Sequence, residues 1–574
     1  MSVRLRLGSS NAALDAAFDP LVARVLAHRG ISDPGQVNYQ LKQLLPYHQL
    51  KGIDAAVALL VQALEAQQHI VIVGDFDCDG ATSTSLALLA LGAMGAKNVS
   101  YLVPNRFDFG YGLSTALVDY AKAIEPDLIV TVDNGIASHE GVNRAHELGI
   151  KVVVTDHHLA ADTLPNADAI VNPNQPGCEF PYKSTAGVGV IFYVMSALRR
   201  QLHTQGWFDQ QGITPPNMAQ YLDLVALGTV ADLVPMEHNN RILVAQGVAR
   251  IRAGKARPGL LALLAIAKRQ HHNLQASDLG FSVGPRLNAA GRLDDMSLGI
   301  ECLLSDNEHI AAQLAQELDE LNAQRRHIEA DMQQQAGNIL TRLEASQDQV
   351  MPRCVCLYHA DWHQGVVGIV ASRIKEKWHR PALVFAKGDS DTLKGSCRSI
   401  AGFHLRDALA AVDAQNPGLI IKFGGHAMAA GLSIKTEHFE AFETALNAYA
   451  QEHLPDSLLA QEWRSDGELS AQELQLNQAF LLQQAGPWGQ GFEEPTFHGR
   501  FMMVQQRIVG EKHLKLVLAD MQTGELVDAI YFNIDLAVWP NTCEQADLVY
   551  RLDINEFRGR QSLQLMVQHM TPVQ

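Results

Sequence analysis

The sequence predicts an α/β protein: a doubly wound parallel sheet, a long helix, a second α/β body, and a small terminal β-barrel or sandwich. Three observations carry this. Short apolar runs that end in polar residues alternate with helix-like segments between His69 and Asp156. An uninterrupted helical pattern runs from Asn307 to Glu344. Beyond His498 the apolar period becomes two.

Length and composition bound the answer first. The chain has 574 residues and 47% hydrophobic content, enough for several folded cores. Apolar runs such as Leu260 to Ala267 fall far short of the roughly 20 residues a bilayer helix needs. No membrane association is expected. Met1-Ser-Val-Arg-Leu-Arg-Leu-Gly lacks the apolar stretch of a secretion signal, and seven cysteines without a CxxC pair suit a reducing cytoplasm. The net charge of -17 argues against indiscriminate binding to a phosphate backbone, although metal ions or a local basic groove can reverse the field at a site.

In chain order, residues 1–65 read as helical packing, with an alanine- and leucine-rich amphipathic stretch from Ala55 to Leu64. Residues 66–300 form the first α/β body. Its strands are Ile70 to Val73 before Gly74-Asp75, Leu128 to Val132 before Asp133-Asn-Gly135, and Val152 to Val154 before Thr155-Asp156. Helices are expected over Ser83 to Met94, Ser114 to Ile124 and Glu140 to Leu148. Residues 301–350 hold the long connecting helix, 351–455 the second α/β body, and 456–574 the barrel. There Leu514, Leu516 and Leu518, then Tyr550, Leu552 and Ile554, then Leu563, Leu565 and Val567 alternate along strands.

The chemistry is concentrated where the first strands end, which in a parallel sheet is where ligands bind. Asp75, Asp77 and Asp79 stand at alternate positions before Gly80. Three carboxylates so close resist ionising together unless a cation neutralises them. A calcium loop opens with the same spacing, but its twelfth position would be Leu86 rather than Glu, and a buried strand precedes it. Asp133 and Asp156-His157-His158 repeat the order of strand, acid, turn, and Asp232 follows another apolar run. Oxygen-rich ligands with a few histidines suit Mn²⁺ or Mg²⁺. A pair of such ions sharing a carboxylate serves in-line displacement at phosphorus. No GxxxxGK[ST] or GxGxxG follows the first strand, and Ala186-Gly-Val-Gly-Val reads as close helix packing. Hydrolysis of a phosphate ester or anhydride is the reading the residues support.

Gly-Asp-Phe-Asp-Cys-Asp-Gly80, Val-Asp-Asn-Gly-Ile136, Thr-Asp-His-His158 and Val-Ala-Asp-Leu-Val-Pro235 resemble, in that order, the four motifs of the DHH phosphoesterase family. The resemblance extends through Gly-Pro-Arg286-Leu-Asn-Ala-Ala-Gly-Arg292, the connector, a DHHA1-like body with Trp362 to Gly368 and Gly424-Gly-His426, and an OB-like barrel. It lies closest to the bacterial single-strand-specific DNA exonucleases of that family. It implies that Asp75, Asp77, Asp79, Asp133, His157 and Asp232 hold two Mn²⁺ or Mg²⁺ ions, with Asp133 as bridge. Asp133, His157 and His158 would serve catalysis, His158 by contacting phosphate or assisting the leaving oxygen. Pyrophosphatase-type relatives place a histidine where Val73 stands, and Asp75 substitutes for it here.

For the substrate, Arg106, Tyr111, Arg286, Arg292, Arg373, Ser396, Arg398 and His426 are the candidates. Ser396-x-Arg398 is expected to take a terminal 5′-phosphate, as the resemblance implies, because arginine meets phosphate bidentately. Phe107, Phe109, Tyr111 and Trp362 are candidates to stack bases. The implied activity is 5′ to 3′ hydrolysis of single-stranded DNA to 5′-mononucleotides in repair and recombination. The implied setting is a cytoplasmic monomer, with single-stranded-DNA-binding protein and a helicase as partners. The rivals are a phosphodiesterase for short oligonucleotides or cyclic dinucleotides, a pyrophosphatase, or an inactive single-strand-binding scaffold. The connector and barrel argue against the small-substrate enzymes, and the complete set of acids and histidines against the scaffold.

Overall fold

The computed structural model describes residues 2–104, 112–345, 351–510, 512–534, 539 and 542–573. It divides into two units, one of residues 3–319 with 463–574, the other of residues 320–462.

The first unit is organised on a five-stranded parallel sheet: β1 (Ile70–Val73), β2 (Val99–Leu102), β3 (Leu128–Val132), β4 (Lys151–Thr155) and β5 (Ala169–Val171). The spatial order is β2-β1-β3-β4-β5, every pair parallel. β1 and β3 are buried throughout, as continuous Val and Ile runs covered on both faces require. Val71, Val73, Ile129, Val152 and Val154 face one core with Leu117, Val118, Val142 and Ala145 from helices Thr115–Ala121 and His139–Glu147. The other layer holds Ile53–Glu65, α1 (Cys78–Ala93) and α2 (Gly187–Thr204). Strand order reverses between β1 and β3, and this order opens a ligand crevice at that switch point.

α1 begins earlier than the sequence pattern indicated, at Cys78, because Asp77 caps it by accepting from the Gly80 amide at 3.0 Å. α3 (Leu222–Ala231) and α4 (Gly284–Leu293) complete the surroundings of the sheet edge. Residues 497–573 close into a five-stranded barrel, ordered Phe497–Val509, His513–Asp520, Leu526–Tyr531, Arg560–Val573, Gln545–Phe557. Leu514, Leu516 and Leu518 are buried in it. Its last hairpin turns at Arg558 (φ 53°) and Gly559 (φ 75°), the left-handed pair a two-residue hairpin turn needs. The alternation suggests an antiparallel barrel, but the pair Leu526–Tyr531 with Arg560–Val573 is parallel. Closure requires a pairing that local periodicity does not encode.

Within this unit the N-terminal helices are fastened to the segment before the barrel. Asp466 is buried and accepts from Arg29 Nη2 at 2.9 Å, with His28 Nδ1 at 3.0 Å.

The helix α5 (Glu308–Ala345) runs for 38 residues, about 57 Å at 1.5 Å per residue. In the second unit its buried side carries Asn322, Arg325 and Glu329, and Glu329 receives Arg373 Nε at 3.1 Å. This unit's mixed sheet is ordered Lys422–Gly425, Ala429–Lys435, Thr392–Arg398, Ala382–Lys387, Val355–Tyr358. Its core gathers Phe385, Phe442 and Leu446. Among the described residues no helix is long and apolar enough to cross a membrane.

Candidate metal centre

The ends of β1 and β3 bring the acids together. Asp75, Asp77 and Asp133 can each place an oxygen within 4.8 Å of the others, and Asp79, His157 and Asp232 do the same. His157 Nε2 lies 3.1 Å from Asp133 Oδ1, 3.5 Å from Asp232 and 3.9 Å from Asp79. Asp133 thus belongs to the first triad and touches the histidine of the second, the position of a shared ligand. It sits at φ 62°. A non-glycine residue held there costs on the order of 1–3 kcal/mol, and such strain collects at functional sites. The turn is over-determined: Asn134 Nδ2 donates to the Val73 and Val132 carbonyls, and Thr131 Oγ1 to that of Asn134.

Asp79 is buried, and its carboxylate accepts from the Gly187 amide at 2.7 Å and the Val188 amide at 2.9 Å. These are the first amides of α2, so a helix N-terminus supports the cluster's negative charge. A Cβ on Gly187 would stand 2.6 Å from Asp133 Oδ1, and one on Gly228 2.8 Å from Asp79 Oδ1. The Ala-Gly-Val-Gly-Val segment is indeed close packing, and it also seats two candidate ligands, Asp79 and Asp133, a role its glycines could have signalled. On the other side Asn288 Oδ1 of α4 accepts from the Cys78 amide at 2.7 Å, and a Cβ on Gly291 would lie 1.8 Å from the Phe76 carbonyl oxygen.

Asp156 has a different task from the other strand-end acids. It accepts from the Ile136 amide at 2.9 Å, the His157 and His158 amides at 2.7 and 3.1 Å, and His158 Nδ1 at 2.8 Å. The following carbonyls are held by Asn172 and Asn174. Asp156 therefore orients the His158 imidazole and fixes the backbone of both histidines. Burial opposes its charge, but the His158 hydrogen bond and charge bring it below the usual carboxylate value. For His158, burial works against the imidazolium, yet Asp156 and the acids beyond push it up to about 9. His158 also lies within 4.8 Å of Asp133 and His157.

Three of the candidate ligand acids behave oppositely. Burial, then the Asp77 charge, pushes Asp79 up to about 7. Burial and the neighbouring carboxylates raise Asp133 and Asp232 well above their ordinary range. Two triads of oxygen and imidazole donors whose charges repel one another fit a pair of divalent cations.

Of the substrate candidates, Arg106 and Tyr111, with Phe107 and Phe109, lie outside the described residues. Arg286 pairs with Asp319 at 2.8 Å and donates to the Ser282 carbonyl. Arg292 lies in the last turn of α4. In the second unit Arg373 pairs with Glu329 and Glu376, bolting a helix to α5. Trp362 is 4% exposed and donates to Gln335, so it packs in the fold rather than offering a face to bases. Ser396 and Arg398 meet, Nη1 to Oγ at 3.1 Å, and Arg398 also donates to the Cys397 carbonyl. A Cβ on Gly368 would stand 2.9 Å from Ser396 Oγ and 3.1 Å from Arg398 Nη2. His426 begins the turn that returns to Ala429, the register partner of Arg398.

Three family models match the chain: the DHH family N-terminal domain over residues 69–229, the DHHA1 domain over 351–452 and the RecJ OB domain over 465–569. The single-stranded-DNA-specific exonuclease RecJ of Salmonella typhimurium is 55% identical over 100% of this chain and 99% of its own length. The crystal structure of RecJ from Thermus thermophilus in complex with Mn²⁺ matches with a TM-score of 0.80 at 30% identity, covering 100% of this chain and 80% of that one. The Mg²⁺ complex of the same protein matches with a TM-score of 0.74 at 29% identity, over 100% and 79%.

Proposed function

The chain belongs to the RecJ family of single-stranded-DNA-specific exonucleases, and from that premise we propose how its residues carry out the reaction and set its polarity. It is a metal-dependent exonuclease acting on single-stranded DNA, with Mn²⁺ or Mg²⁺ as cofactor. The observation that carries the mechanism is the double triad joined at Asp133.

Asp75, Asp77 and Asp133 would hold one cation, and Asp79, His157 and Asp232 the other, with Asp133 shared. When bound, such a pair activates water and stabilises the entering and leaving oxygens at phosphorus. The protein's part is positional and electrostatic. The α2 amides and Asn134 hold the acids in place. Asp156 fixes the direction of His158 and favours its protonated form, and that ring would donate to a phosphoryl oxygen or to the departing 3′-oxygen.

Ser396, Arg398 and the Gly368 backbone would receive the terminal 5′-phosphate, and hydrolysis would proceed 5′ to 3′, releasing 5′-mononucleotides. Support comes from the setting of Arg398. It is half-buried beside a hydroxyl and a carbonyl, and among the described residues no carboxylate oxygen lies within 4.0 Å of its guanidinium. Burial lowers its pKa, but a guanidinium stays charged, which suits it to an anionic group such as a phosphate. Work in DNA repair and recombination, in the cytoplasm beside single-stranded-DNA-binding protein and a helicase, fits this activity.

A time course on one oligonucleotide labelled at either end tests the reading. Immediate release of labelled mononucleotide from the 5′ end, a shortening ladder from the 3′ label, and silence with chelator or duplex are expected. Mononucleotide released first from the 3′ label would overturn the polarity. Cleavage confined to dinucleotides would favour the small-substrate alternative.

A further inference from the structure

Three large apolar side chains are exposed on segments that adjoin candidate metal ligands in sequence or in packing. Leu159 follows His158 and is 58% exposed, Leu233 follows Asp232 and is 66% exposed, and Phe281 is 81% exposed. Leu233 also adopts φ 59°, a conformation L side chains rarely take. Phe281 rides on a single π turn, Leu279–Val283, and such turns recur at functional sites.

The π turn lies against the helix that ends at Asp232. A Cβ on Gly280 would be 3.1 Å from Val230 Cγ1, and one on Gly284 3.1 Å from Ala231 Cβ. Leu233 and the turn that carries Phe281 therefore both lie at one end of α3, the end that leads into the candidate ligand Asp232. A strained, solvent-exposed leucine and an open phenylalanine at that end do nothing for the core.

We propose that Leu233 and Phe281 form an apolar lip that takes the face of the nucleobase next to the scissile phosphate. The proposal rests on the single-strand exonuclease reading given above. The occupant follows from the strand's chemistry: phosphate and sugar are polar, so the base face is the part of a single strand that apolar side chains accept. Every base has such a face, so the lip favours an unpaired base without reading its identity. A paired, stacked base cannot offer it.

The test compares a normal single-stranded oligonucleotide with one whose terminal nucleotides are abasic, using full-length protein with Mn²⁺. Wild type is expected to show a KM at least about fivefold higher on the abasic strand, the low end of base-aromatic stacking. Phe281→Ala and Leu233→Asn, the latter tolerant of positive φ, should raise KM on the normal strand by a similar factor. They should lose the difference between strands and keep kcat within about twofold. Phe281→Trp should restore the difference, and Mn²⁺ affinity should be unchanged throughout. A wild type that cleaves but ignores the missing bases, or variants that keep the full difference, would overturn the lip alone. Variants that alter self-association instead of KM would make the patch an interface between copies and overturn it too. A wild type that cuts no single strand would overturn the exonuclease reading together with the lip.

Discussion

At the residue scale the decisive position is Asp133, held at positive φ by Asn134 and Thr131, and in reach of both triads. Its replacement should harm both ion sites at once. Asp133→Asn is expected to lower turnover by at least about 100-fold and to weaken Mn²⁺ binding, measured by calorimetry, without unfolding the protein. The acids also set a pH dependence. Asp79 is pushed up to about 7, and Asp133 and Asp232 are raised as well, so without cations these groups hold protons when folded that they release when unfolded. A raised carboxyl favours the folded state at low pH, and that advantage disappears as pH rises through the folded value. Bound cations relieve the repulsion left behind. The rise in melting temperature on adding Mn²⁺ should therefore grow from pH 6 to pH 8, with proton release on binding near pH 7. A rise of equal size at both pH values would contradict this. The clustering of the acids was legible in the sequence because Asp75, Asp133 and Asp232 follow apolar runs and Asp77 and Asp79 continue the first at alternate positions. The separate role of Asp156 was not, since a carboxylate that orients an imidazole and one placed to bind metal leave the same local pattern.

At the scale of elements, the N-terminus of α2 is the support that periodicity could not reveal. Its glycines read as packing, yet the amides of Gly187 and Val188 hold Asp79 while the missing Cβ makes room for Asp133. Gly187→Ala should leave the helix intact, since alanine favours helix, but displace Asp133. Its expected signature is a 10- to 100-fold loss of Mn²⁺ affinity or activity at near-normal melting temperature. Normal affinity would show that the close approach is unimportant. The parallel pair in the barrel escaped prediction for a similar reason: a period of two marks a strand but says nothing about its partner. Trp362 and Arg373 were plausible substrate contacts by residue type. Their hydrogen bonds to Gln335 and Glu329 of α5 show them tying the second unit together.

At the scale of the whole molecule, residues 463–574 share a unit with the metal centre. The Met236 amide, four residues past Asp232, donates to the Gln490 carbonyl at 2.7 Å, and Asp466 lies buried against Arg29 and His28. Removing one partner of a buried ion pair costs about 3–5 kcal/mol. Asp466→Asn should therefore lower the melting temperature clearly. Burial opposes the Asp466 charge, but Arg29 and His28 hold it below the ordinary carboxylate value. The stability it contributes is present above about pH 4 and lost as pH falls through the lowered native value. The gap between wild type and variant should accordingly be constant from pH 8 to 5 and shrink below pH 4. Truncation after residue 462 should destabilise the metal-binding unit itself, read as lower melting temperature with and without Mn²⁺. An unchanged melting temperature would show that the barrel is an independent attachment.

The shared carboxylate can be tested most directly by titrating the full chain with Mn²⁺ and recording electron paramagnetic resonance. Two ions per chain with the spectrum of a spin-coupled pair are expected, since ions sharing a carboxylate lie about 3.5 to 4 Å apart. In Asp133→Asn the coupled signal should vanish. One ion per chain in the wild type, or a coupled pair that survives in Asp133→Asn, would contradict a two-cation centre bridged at Asp133.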